Sequence, residues 1–131
     1  MPNDMDPTHV RPMIAGPGDP HVSVSGASLV IRRWTESGPS YLHSHLSDDE
    51  AWHVVEGALQ FKFLDGEIEA GAGTTVFVPA GVPHTYRVTQ PSSYLIVLTP
   101  RLDQLIARLQ TLSDPSHLRA TLAEFDTVLV E

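Results

Sequence analysis

From Val22 to Leu98 the chain is a succession of short β-rich segments broken by glycine, proline and aspartate, the rhythm of an antiparallel barrel or sandwich. The clearest strand is Leu59 to Phe63. There Leu59, Phe61 and Phe63 alternate with Gln60 and Lys62, which sets the apolar side chains on one face, and Asp65-Gly66 supplies a tight hairpin turn. Further strands are expected at Leu29 to Trp34, Tyr41 to His45, Glu50 to Val55, Thr75 to Val78, His84 to Val88 and Tyr94 to Leu98, enough to close a small all-β barrel.

The flanks differ from this core. Pro2, Pro7, Pro12, Pro17 and Pro20, with Gly16 and Gly18, deny both helix and central strand, so residues 1–21 read as an extended N-terminal arm. Such an arm is either a disordered tail or a segment that pairs along the barrel or across a subunit interface. After Thr99-Pro100, a cap followed by proline at the first helical position, the apolar period becomes helical through Leu102, Leu105, Ile106, Leu109 and Leu112. Ser113, Asp114 and Pro115 repeat the start signal, and Leu118, Leu122, Phe125 and Leu129 extend a second amphipathic segment. The expected organisation is one domain: a barrel over residues 22–99 and a helical segment over residues 100–131 packed on it.

The charge balance narrows the partners. Sixteen acidic residues against eight basic ones give a net charge of -8, which repels phosphate backbones and anionic headgroups, so neither nucleic acid nor a membrane surface is expected. With no cysteine, any metal must be held by nitrogen and oxygen ligands. The polar, proline-containing start lacks the basic and apolar regions of a secretory signal, and no apolar run reaches membrane-helix length, so a cytoplasmic location is the default.

The chemistry concentrates in Gly38-Pro39-Ser40-Tyr41-Leu42-His43-Ser44-His45-Leu46-Ser47-Asp48-Asp49-Glu50. On a strand His43 and His45 point to the same face, near enough to share one ion. Ser47, Asp48 and Asp49 make a turn, after which Glu50 can return beside the histidines as an anionic ligand. A second stretch, Pro79-Ala80-Gly81-Val82-Pro83-His84, sets another histidine after a proline and glycine turn. Together with Gly57, seven residues after Glu50, these stretches resemble the paired motifs of the cupin superfamily over roughly Gly26 to Leu98. The resemblance implies a cupin-type antiparallel β-barrel, a double-stranded β-helix or jelly roll, with one divalent metal ion held by His43, His45, Glu50 and His84. Gly38 stands one residue closer to the first histidine than the family pattern has it. Val88 occupies the place of a usual asparagine. Neither departure removes a ligand. A metal-free barrel in which hydrogen bonds satisfy the histidines is the competing reading.

The remaining ionisable groups carry less. His53 lies three residues after Glu50, on the opposite strand face, and is expected outside the barrel. Asp48 and Asp49 are expected to shape the turn and Glu56 to be a solvated hairpin residue, while His9, His21 and His117 have no constellation around them. Trp52 shares the face of Glu50, Tyr41 that of His43 and Tyr86 that of His84. These three aromatics are candidates for the substrate pocket, or else ordinary barrel core. No serine-nucleophile elbow, phosphate loop or metalloprotease helix competes.

Small single-domain cupins of this kind suggest a metal-dependent dioxygenase acting on a small aromatic or enolic metabolite, with Glu50 also serving as base. The alternatives are an isomerase, cyclase or hydrolase that uses the ion as a Lewis acid, and a non-catalytic binding or sensor module. The ligand set accepts iron, manganese, nickel, copper or zinc. The resemblance further implies a homodimer.

Overall fold

Ten strands and two helices make up the computed structural model, which describes residues 11–131. The strands are β1 (Ser23–Ser25), β2 (Val30–Trp34), β3 (His43–His45), β4 (Glu50–Glu56), β5 (Ala58–Phe63), β6 (Gly66–Gly71), β7 (Thr75–Val78), β8 (Thr85–Val88), β9 (Ser93–Leu98) and β10 (Thr127–Leu129). One antiparallel sheet runs β1-β2-β9-β4-β7. A second begins β6-β5-β8, and a single antiparallel bridge between His43 and His84 continues it into β3, which pairs with β10. The two sheets close on each other as an antiparallel cupin-type barrel.

Alternation determines which side chains fill the interior. On β4, Glu50, Trp52 and Val54 are buried while His53 is exposed, and on β5 Leu59 and Phe61 are fully buried while Lys62 is exposed. Across the interior the Trp52 and Phe61 rings meet edge to face at 5.0 Å, and Tyr86 meets Tyr94 the same way at 5.7 Å. Burying a side chain the size of Phe61 contributes about 1.5–3 kcal/mol, so this aromatic layer is the main hydrophobic link between the sheets.

Helix α1 (Pro100–Gln110) starts where expected. The Thr99 hydroxyl accepts from the Leu102 amide, Pro100 takes the first helical turn, and Leu102 and Leu105 face inward. A bidentate pair from Arg32 on β2 to Asp103, at 2.7 and 2.8 Å, fixes the helix over the barrel mouth. Asp114 caps a short 3-10 turn at Pro115–His117, and α2 (Leu118–Glu124) follows. The second amphipathic segment is not helical to its end. Asp126 adopts a left-handed conformation (φ 55°), and Thr127–Leu129 leave the helix to become β10. The spacing of Phe125 and Leu129 suits a helix, but pairing with β3 overrides that local preference.

Three smaller differences concern strand limits. The β3 strand begins at His43, leaving Tyr41 in the preceding bend, while β1 and β6 form where no alternation announced them. The first ten positions of the N-terminal arm, His9 among them, lie outside the described residues. From Asp19 onward the arm lies along β2: the Arg33 amide donates to the Val22 carbonyl at 2.9 Å and its guanidinium to the Asp19 carbonyl at 3.0 Å. Among the described residues, no helix is long and apolar enough to cross a membrane.

Gly57 turns β4 into β5 with φ 79°, and a Cβ there would sit 2.2 Å from Ser92 Oγ and 2.4 Å from the Pro91 carbonyl oxygen. Left-handed strain and this clash act together. Gly57→Ala should therefore lose at least about 2 kcal/mol in urea denaturation. A loss below about 0.5 kcal/mol, the usual surface range, would contradict the turn as described.

Candidate metal centre

His43 and His45 project from β3 to the same side, as two-residue spacing requires, and the bridge with His84 brings a third imidazole alongside. The bridge is two backbone bonds, His43 N to the His84 carbonyl at 3.2 Å and His84 N to the His43 carbonyl at 2.9 Å. All three residues are buried, and each offers a ligand nitrogen within 4.8 Å of the others. Glu50 enters from β4 on the facing sheet. Its Oε1 lies 3.3 Å from His45 Nε2 and 3.1 Å from His84 Nε2. The group of three histidines is thus compact, with the carboxylate against two of them.

The outward ring nitrogens determine what the inward ones can do. His43 Nδ1 lies 3.2 Å from the Tyr41 carbonyl and His84 Nδ1 2.9 Å from the Val82 carbonyl. A carbonyl only accepts, so both Nδ1 atoms carry the proton and both Nε2 atoms keep a lone pair. His45 Nδ1 lies 2.8 Å from the Thr127 hydroxyl, which itself donates to the Phe125 carbonyl at 3.1 Å. With the hydroxyl proton so placed, the contact accommodates the same tautomer for His45. Three nitrogen lone pairs and an anionic carboxylate converge in a buried space, and a divalent cation is the partner this donor set fits.

Electrostatics agree with that fit. Burial, helped by repulsion from His84 and His45, lowers the His43 pKa to about 4, so its imidazole is neutral at pH 7. Burial alone would raise Glu50, but hydrogen bonds and charge interaction with His45 and His84 outweigh it and hold the carboxyl at about 2. A cation bound here would compete with protons for the same donors, so metal affinity rises with pH.

The other expected positions separate. Tyr41 and Tyr86 line a cavity of about 290 Å³ that includes the histidines, with Trp34 of β2, Ile96 of β9, Pro39 of the segment before β3, and α1. Trp52 is not among the residues that line this cavity and follows the barrel-core alternative: it is fully buried, with its ring 5.7 Å from His84 and 5.2 Å from Tyr86. Gly38 lies against the Tyr86 ring so closely that a Cβ would sit 2.5 Å from it. His53 is outside the barrel, with Nδ1 2.8 Å from the Thr75 hydroxyl. Asp49 accepts from the Ala80 amide at 2.8 Å, Asp48 lies 3.5 Å from Arg101, and exposed Glu56 faces Arg33 at 3.6 Å. His21 and His117 stand apart from the site, near Asp19 and Asp114. Two contributors gave no sequence signal: Thr127, eighty-two positions from the histidine it contacts, and Glu36 at the cavity mouth.

The metal-free protein should be acid-sensitive. Unfolded, His43 takes up a proton near pH 6.5; folded, it does so only near pH 4. Its stabilising contribution is full above pH 6.5 and is lost between pH 6.5 and 4, about 3 kcal/mol in all. Glu50 acts in the same sense lower down, its contribution present above 4.5 and lost towards pH 2. Urea denaturation across this range should show the fall, and His43→Gln should flatten its upper part. A profile flat from pH 7 to 4 would contradict the buried, neutral His43.

Comparison with known proteins supports the same architecture. No curated protein matches the chain significantly. Among solved structures, protein NMB1881 from Neisseria meningitidis is similar at 22% identity and TM-score 0.51, covering 66% of this chain and 88% of its own. KdgF from Halomonas sp. is similar at 20% identity and TM-score 0.53, covering 63% and 79%. Pac13, described as a nucleoside dehydratase, is similar at 16% identity and TM-score 0.55, covering 82% and 72%. These likenesses are of fold. A family profile described as a cupin domain matches residues 26–98, the barrel that carries all three histidines and Glu50, and the chain belongs to that family.

Proposed function

We propose that this cupin is a metal-dependent dioxygenase acting on a small aromatic or enolic metabolite, bound through His43, His45, Glu50 and His84 to one divalent ion. The observation that carries this reading is the cavity. Its lining combines His43, His45, His84 and Glu50 with an apolar set from α1, Leu102, Leu105, Ile106 and Leu109. Such a space suits a molecule with a metal-chelating head and a hydrocarbon body. Among the described residues no lysine or arginine lines it. An adjoining cavity of about 510 Å³ is bordered by Arg32 and Arg33, but Arg32 is held by Asp103, and Arg33 by Ser93 at 2.7 Å and the Asp19 carbonyl. A phosphorylated ligand would find no uncommitted cation there.

A redox-capable ion bound here would acidify a chelating hydroxyl and relay electrons from the chelated substrate, which is the species oxidised, to oxygen. Glu50 would accept the substrate proton. A carboxylate is a weak base and suits the acidic hydroxyl of an enol or phenol better than that of an aliphatic alcohol. The leucine and isoleucine wall holds the carbon skeleton and excludes water. Tyr86 does not act as an acid. Its hydroxyl pairs with Tyr94 at 2.9 Å, and burial pushes its pKa up to about 12, so it presents a neutral polar edge. A second reading, a non-redox isomerase, cyclase or hydrolase, gains support from Glu36, a second carboxylate lining the same cavity.

Metal-free protein loaded with ferrous iron or with zinc should be titrated with catechol and with a short β-diketone. Iron-loaded protein is expected to change its absorption on anaerobic addition and to consume oxygen only when probe and metal are both present. Zinc-loaded protein should bind without turnover. Leu109→Trp, which fills the wall, should weaken probe binding on the order of tenfold and leave metal content unchanged. Oxygen uptake with zinc, or no spectral response to either probe, would overturn the dioxygenase reading.

A further inference from the structure

We propose that Thr127 is a positioning residue of the metal centre, so that β10, beyond the cupin-matched residues 26–98, is part of the site. The inference rests on the reading of the histidine cluster as a cation site. Each ligand histidine needs an acceptor for Nδ1–H to turn its Nε2 lone pair inward. His43 and His84 find one locally, in the carbonyl two residues earlier. His45 has no such recourse. The carbonyl two residues before it belongs to His43 and is engaged by the His84 amide in the bridge that joins β3 to the start of β8. His45 Nδ1 instead meets a side chain from another element.

That element is β10. In the antiparallel register Thr127 stands directly opposite His45, fully buried, with Oγ1 2.8 Å from Nδ1. A hydroxyl has one proton, and the Phe125 carbonyl lies 3.1 Å from Thr127 Oγ1 as its acceptor. With the proton directed there, a lone pair faces His45 and favours the Nδ1–H tautomer that metal binding through Nε2 requires. The strand that carries Thr127 is itself fixed to the ligand strand. Leu46 N donates to the Asp126 carbonyl at 2.8 Å and Val130 N to the Leu42 carbonyl at 3.0 Å. Arg101 of α1 lies 3.5 Å from both Asp126 and Asp48, joining the helix and the turn before Glu50 to the same corner.

The test uses the full chain with zinc alone, competed against a chromogenic chelator, in wild type, Thr127→Val and Thr127→Ser. Valine keeps the shape and removes the acceptor; serine restores it. Zinc affinity should fall 10- to 100-fold in Thr127→Val, the usual cost of losing such a partner, and stay within about threefold of wild type in Thr127→Ser. Nitrogen-15 NMR of the zinc-loaded wild type should show His45 bound through Nε2 with Nδ1 protonated. A merely structural role would lower the melting temperature of Thr127→Val while leaving zinc affinity unchanged, and that result would overturn the proposal. If Thr127→Val does not fold, the wild-type spectrum still decides, because zinc on His45 Nδ1 is equally contrary. Absence of zinc binding in wild type would instead remove the metal reading itself.

Discussion

Three imidazole lone pairs and one carboxylate face one another in the barrel interior, and the rest of the molecule is arranged around holding them there. Without a compensating cation or proton such a set costs several kcal/mol in lost hydration, which a domain of ordinary marginal stability cannot ignore. The chain does not relieve the conflict by turning a ring over. Each outward nitrogen has a partner: the Tyr41 and Val82 carbonyls, which can only accept, and the Thr127 hydroxyl, whose proton has the Phe125 carbonyl as an alternative acceptor. The inward lone pairs are thereby fixed before any ion arrives, and the ion loses less ordering free energy on binding.

The two sheets divide the work. The sheet that ends in β8, β3 and β10 supplies the nitrogens, and the facing sheet supplies the carboxylate on β4. Charge and neutral donor therefore meet only when the barrel closes, which couples metal affinity to the aromatic layer beneath, where Trp52 touches both His84 and Phe61. Above the site, α1 converts an open barrel end into a cavity with one polar pole. That asymmetry, with no cation uncommitted at the mouth, is the physical basis for expecting a chelating, hydrocarbon-bodied ligand.

Much of this was legible in the sequence. The alternation in Leu59–Phe63 and the two-residue spacing of His43 and His45 are direct projections of strand geometry, and the Thr99-Pro100 start of α1 is a direct projection of capping. What strand parity cannot convey is depth. Trp52 is on the face of Glu50, as parity requires, but two residues further along β4 carry it about 6.6 Å deeper, past the cavity and into the core. β6 was invisible because its four leading residues are exposed and its glutamates hide the period. β10 was misread because Phe125 and Leu129 satisfy a helical spacing, and only a partner strand more than eighty residues away decides otherwise. His84 entered through family resemblance, since nothing local links it to His43.

The account stands on a cation bound by three imidazoles through Nε2. X-ray absorption on the zinc-loaded protein tests that most directly, beside metal content measured after exhaustive dialysis. The expected result is one ion per chain with three histidine nitrogens at about 2.0–2.1 Å, lost in His45→Ala and unchanged in His53→Ala. A shell of oxygens with fewer than two imidazoles, or equal metal loss from the His53 variant, would contradict it.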